Sequence, residues 1–130
     1  MNVKIDTKEK FTVIVPKESD ISANMTDQLA ETLLPYLSKE IPHIVLNMKD
    51  VNSISDEAAE MIAGLQHQFY EQNVSFIVCE LQNSVESSFE RMELSDSMNV
   101  TPTESEAWDI LQMEEVEREI MRDFDNSTDD

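Results

Sequence analysis

Short apolar runs alternate along the chain with stretches whose apolar residues recur at helical spacing. Residues 1–5 and 11–15 are strand-like, and the charged turn Asp6-Thr7-Lys8-Glu9-Lys10 separates them. This is the pattern of a hairpin opening a sheet, with the first strand at its edge. Residues 16–23 form a polar loop leading to Asn24, a suitable N-cap with Asp27 three residues on; Met25, Leu29, Leu33 and Leu37 then make a helical stripe. Pro35 interrupts that stripe. A proline costs about 3 kcal/mol inside a helix, so a kink or stop near Leu34 is predicted.

The middle of the chain, residues 42–79, holds the most continuous pattern. His43-Ile44-Val45-Leu46-Asn47-Met48 is too short for a lone helix and rich in β-favouring residues, as a buried strand should be. After the polar turn Ser53-Ile54-Ser55-Asp56-Glu57-Ala58, the residues Ala58, Met61, Ile62, Leu65 and Phe69 share one helical face, with Glu60, Gln66, His67 and Glu71 turned elsewhere. Asn73 closes the helix, and Val74 to Cys79 is a second strand. A strand–loop–helix–strand unit makes its two strands parallel and lays its helix on the sheet.

Further on, Asn83 with Glu86 predicts the start of a helix whose stripe is Val85, Phe89 and Met92, with Ser88 on the same face. Ser95-Asp96-Ser97 breaks the pattern, residues 98–101 make a short last strand, and Thr103 with Glu106 forms a capping box. Ala107, Ile110 and Leu111 turn inward from the final helix, with Trp108 at the margin. Val116, Ile120 and Phe124 continue an apolar spacing, and Glu114–Arg118 and Glu119–Arg122 are helix-compatible pairs. The helix is expected to reach about Arg122, its extension packing on the domain or fraying rather than waiting for a partner, and residues 123–130 are expected to be disordered at least in part. The fold class is α/β: a single domain, residues 1–113, with a mixed, mostly parallel sheet of about five strands and about four helices. An acidic extension, residues 114–130, completes the chain.

Composition narrows the chemistry. With 28 acidic against 9 basic residues and a net charge of −19, the chain repels nucleic acid and anionic lipid at long range. A single glycine, Gly64, excludes every glycine-rich phosphate loop. The lone Cys79 lies in a predicted buried strand and is expected to be an unreactive core thiol. No signal peptide or membrane-spanning run is visible, so a soluble cytoplasmic protein without membrane insertion is expected.

Candidate chemistry gathers at the turn. Ser55 is placed to cap the helix, which sets Asp56 and Glu57 in the first turn, where the helix dipole favours carboxylates. Helix-start chemistry alone accounts for these three residues. His43 and His67 are expected at the surface, without metal-ligand spacing to Cys79, and no nucleophile–base constellation is evident. A non-enzymatic binding module without metal or cofactor is therefore expected, ahead of an acid–base or metal site built from Asp50, Asp56 and Glu57. A phosphoryl receiver phosphorylated at Asp50 is the weaker α/β alternative, since Pro16-Lys17-Glu18 stands where an acidic pair would hold Mg²⁺.

The order of elements, with Ile44 to Val51 before the turn, Val74 to Cys79 after it and Thr103 to Leu111 at the end, resembles the STAS domain of bacterial anti-sigma factor antagonists over residues 1–113. In that family the turn reads Asp-Ser-Ser-Gly or Asp-Ser-Thr-Gly. The second hydroxyl residue is phosphorylated by a GHKL-type kinase that doubles as the anti-sigma factor, and phosphate turns binding off. The corresponding positions here are Ser55, Asp56, Glu57 and Ala58, so Glu57 replaces the phosphoacceptor and Ala58 the glycine. A carboxylate carries one charge against about −1.5 to −2 for a phosphate and is a partial mimic of it. The resemblance implies a protein partner docking on Ser53, Ser55, Asp56, Glu57, Ala58 and Glu60, together with the helix face that includes Gln66. Ser55 and Ser53 are substitute phosphoacceptors. The alternative it leaves open is a constitutive STAS subunit of a transport or signalling assembly.

Overall fold

The computed structural model describes residues 1–127, with side chains described through Phe124. A five-stranded sheet runs in the order β1 (Val3–Thr7), β2 (Thr12–Pro16), β4 (Ile44–Asn47), β6 (Phe76–Cys79), β7 (Val100–Thr101). β1 is antiparallel to β2 and lies at the edge, as the hairpin pattern predicted; the other three pairings are parallel. A separate two-stranded parallel pair joins β3 (Asp20–Ile21) to β5 (Ser53–Ile54). These two-residue strands fall in segments expected as polar loop and turn, and are too short to show a period.

The strands explain themselves by alternation. Ile14, Ile44, Leu46, Phe76 and Val78 face a large core with α1 (Thr26–Leu33), α2 (Asp56–Glu71) and α3 (Asn83–Arg91). Val13, Val15, Val45, Ile77 and Cys79 face a smaller core with Ala107 and Leu111 of α4 (Glu104–Ser127). With both faces covered, a parallel strand must be apolar at nearly every position, which is why residues 44–46 and 76–79 read as unbroken apolar runs. Trp108 adds an aromatic stack on Phe11, ring centroids 4.9 Å apart. Burial pushes the Cys79 thiol up to about 12, helped by the nearby Glu104 and Glu80 carboxylates, so it stays protonated and inert.

Several helix ends differ from the sequence expectation. Asn24 sits inside a 3₁₀ turn, Ala23–Met25, and does not cap α1. The stop before Pro35 occurs as expected: α1 ends at Leu33 and a 3₁₀ segment, Leu34–Ser38, follows. α3 already includes Asn83, with Gln82 at the N-cap and its side chain donating to Lys49 O at 2.8 Å. Asn73 does close α2, in the left-handed conformation at φ 61°, with Val74 N–H bonded back to Phe69 O at 2.9 Å.

α4 runs against the direction of the parallel strands. Its Glu104 backbone N–H donates to Glu80 Oε2 at 3.0 Å, and Asn47 donates to Glu104 Oε1 at 3.0 Å, both beside strand carboxyl ends. Thr103 Oγ1 accepts from Glu106 N–H at 3.2 Å, the forward half of the expected capping box. Farther along, Asn99 donates to Glu114 Oε2 at 3.1 Å and Arg118 donates to Ser75 Oγ at 3.1 Å, both beside strand amino ends. Glu114 and Arg118 therefore reach back to the domain. The helix continues beyond Arg122 to Ser127, and its Val116, Ile120 and Phe124 are exposed. The expected disorder of residues 123–130 is not found for 123–127, which are helical; residues 128–130 lie outside the described part.

Candidate functional site

The turn between β4 and α2 lies at the carboxyl end of the central strands, and it is held from two sides. On one side the β3 segment grips it: Asn52 N–H and Ser53 N–H both donate to Ser19 O, at 2.7 and 3.1 Å, and Ser55 N–H donates to Ile21 O at 2.9 Å. Side chains repeat the grip, with Asn52 Nδ2 on Ser19 Oγ at 2.8 Å and Ser53 Oγ donating to Asp20 Oδ1 at 2.7 Å. From the other side, Ser84 Oγ donates to Asn52 O at 2.5 Å, and Arg91 Nη2 donates to Asp56 Oδ1 at 2.9 Å. Ser19, Asp20, Ser84 and Arg91 were not singled out from sequence, because each lies about 30 residues away and none belongs to a local motif.

The predicted residues divide into two groups. Ser53, Asp56, Glu57 and Glu60 are exposed on one surface. Ser55 is half-buried and caps α2, its Oγ accepting from Ala58 N–H at 3.1 Å. Ala58 is fully buried in the core, so its side chain lies beneath that surface. Gln66, expected on the exposed face, is also buried: its Nε2 donates to Phe76 O and Asn99 O, both at 2.9 Å, and its Oε1 accepts from Asn99 N–H at 3.1 Å. It is a structural tie between α2, β6 and the start of β7.

Charge at the turn is mixed but mainly negative. Lys17 Nζ lies 2.8 Å from Asp50 Oδ2, and the hydrogen bond to that ammonium holds the Asp50 carboxyl below its usual range. Asp50 is thus engaged by a lysine, and among the described residues no cluster of three or more metal-ligating side chains occurs.

Neither histidine belongs to the turn. His67 is exposed and lies 2.7 Å from Glu71. His43, expected at the surface, is half-buried, and its Nδ1 accepts from Ser75 N–H at 3.0 Å. Burial, and then the Arg118 guanidinium, lower its pKa.

A groove of about 900 Å³ lies at the other end of the sheet, between the end of α2 and the overhanging part of α4. Tyr70, Val74, Glu117, Arg118 and Met121 line it, and it shares no residue with the turn.

Among the described residues no helix is long and apolar enough to cross a membrane. A search of curated proteins by sequence gives no match. Solved structures do match by fold. A Thermotoga maritima protein, TM1081, is 16% identical with a TM-score of 0.77, covering 85% of this chain and 94% of its own. The anti-sigma factor antagonist SpoIIAA in its unphosphorylated form is 15% identical with a TM-score of 0.67, covering 85% of this chain and 96% of its own. The murine anion transporter Slc26a9 matches at 12% identity and a TM-score of 0.67, over 80% of this chain and 18% of its own. The five-stranded sheet, the helix that starts at the Ser55 cap and the first turn of α4 fall within residues 2–107, which match the STAS domain profile, and the chain belongs to the STAS domain family.

Proposed function

We propose that this chain is a protein–protein interaction module of the anti-sigma factor antagonist kind, in which Glu57 fixes a charge where phosphorylation would otherwise be the switch. One observation carries this reading: Glu57 is exposed in the first turn of α2, two residues after a serine whose hydroxyl is already committed to capping that helix. A carboxylate there is compatible with the helix dipole, so the charge persists without destabilising the turn. The partner surface is Ser53, Asp56, Glu57 and Glu60, with Ser55 at its margin.

The two serines are poor substitutes as phosphoacceptors. The Ser53 hydroxyl faces the Asp20 carboxylate at 2.7 Å, and a phosphate there would meet like charge. A phosphate on Ser55 would displace the cap from Ala58 N–H. The partner is a protein, and in this reading it is a kinase-like anti-sigma factor, acting in the cytoplasm on transcription, whose binding the fixed charge of Glu57 weakens.

The test is affinity co-purification from the source organism with the native chain, Glu57→Ser and Ser55→Ala, reading partners and phosphosites by mass spectrometry. The expected result is that Glu57→Ser gains a kinase-like partner or a phosphate at residue 57, while the native chain carries no phosphate at Ser53 or Ser55. Three chains that keep one non-kinase partner, none of them phosphorylated, overturn the switch reading and leave a fixed adaptor of the transport or signalling kind.

A further inference from the structure

α4 is apolar on two opposite faces. Its inner face buries Ala107 and Leu111 against the sheet, and Glu114 and Arg118 then tie the overhanging part to Asn99 and Ser75. These contacts fix the rotation of the helix. At about 100° per residue, the outer face then carries Met113, Val116 and Ile120, which are 58%, 52% and 60% exposed. Spacings of three and four residues on one face are those of a helix that lies in a groove. The domain cannot supply that groove, because the stripe points away from the sheet.

Charge on the flanks narrows the occupant. Glu117 borders the stripe on one side and Glu119 and Asp123 on the other, all exposed, whereas Arg118 and Arg122 line the groove beneath the helix. A second copy presenting the same face would set carboxylates against carboxylates, between chains that each carry −19. From this we infer that the outer face of α4 is a docking surface for a different protein, one whose apolar groove is rimmed by lysine and arginine. The surface lies at the amino ends of the strands, opposite the turn that holds Glu57, and it does not depend on the role of Glu57.

The experiment places p-benzoylphenylalanine at Ile120 of the full chain, or at the exposed polar Gln68 as control, and photo-crosslinks in the source organism. Expected is a crosslink from position 120 to a peptide of another protein in which Lys or Arg flanks apolar residues. Its yield should drop at least about fivefold in lysate when added salt rises from about 50 to about 500 mM, as screening requires. Val116→Asp should abolish the crosslink while the thermal melt of the domain is unchanged, and Glu57→Lys should leave it intact. A crosslink to a second copy, to the chain's own domain or to an acidic peptide overturns the inference. So does a yield no higher than from Gln68, or one that Val116→Asp leaves intact.

Discussion

Gln66 and Asn99 exchange two hydrogen bonds across 33 residues of sequence: Gln66 Nε2 donates to Asn99 O at 2.9 Å, and Asn99 N–H donates to Gln66 Oε1 at 3.1 Å. A second bond from Nε2, to Phe76 O at 2.9 Å, makes this one amide the link between α2 and two adjacent strands. Gln66→Leu keeps the size and apolar stem but leaves buried backbone groups without partners. The expected loss is about 2–4 kcal/mol. In urea unfolding the midpoint should fall with the slope unchanged. A loss below about 0.5 kcal/mol would show that water replaces the amide at no cost.

That residue also marks where sequence pattern fails. In a helical period Gln66 belongs to the polar set, and nothing local says that two strand ends wait for its amide. The central parallel strands were legible because burial on both faces leaves nearly continuous apolar runs, and α2 was legible because Ser55 caps it and Ala58, Ile62, Leu65 and Phe69 are buried on one face. Asn24 and Asn83 were misplaced as caps for one reason: a side chain able to cap does so only if the backbone enters the helix at that residue, and here it enters elsewhere. The turn's position and its Ser55, Asp56, Glu57 order were readable. The residues that hold it rigid, Asp20, Ser84 and Arg91, come from other elements and could be found only once the chain was folded.

Glycine sits where it is least useful. Gly64 lies in the middle of α2 at an exposed position, and a Cβ there would meet nothing within 4 Å. Gly64→Ala should therefore stabilise by about 1 kcal/mol through helix propensity. Among the described residues three that are not glycine hold the left-handed conformation, which Gly64 does not: Asn73, Glu80 and Glu93, at φ 61°, 59° and 59°. Glu93 is exposed just past the end of α3, so Glu93→Gly should relieve about 1 kcal/mol. Glu80→Gly should not help, because the Glu80 carboxylate caps α4 by accepting from Glu104 N–H, and losing a cap costs about as much as the strain relieved. Thermal melts of the three variants check this; equal gains for Glu80→Gly and Glu93→Gly would deny the Glu80 side chain any capping role.

Acid should weaken the fold through His43 before the carboxylates titrate. Burial, then Arg118, lower the His43 pKa in the native state, against a weaker pull upward from Glu115, while in the unfolded chain it returns to about 6.5. The neutral ring is also the form that accepts from Ser75 N–H at 3.0 Å. Below about pH 6.5 the unfolded chain thus binds a proton that the native chain does not, so stability falls with pH until the native pKa is passed. His43→Gln retains an acceptor but does not titrate. The melting temperatures of the native chain and His43→Gln, measured from pH 7.5 to 5, should diverge as pH falls, with the native chain losing more. Glu115→Gln should widen the gap, since it removes the one contribution that raises the His43 pKa. Parallel curves for all three would mean that His43 titrates alike in the folded and unfolded chain.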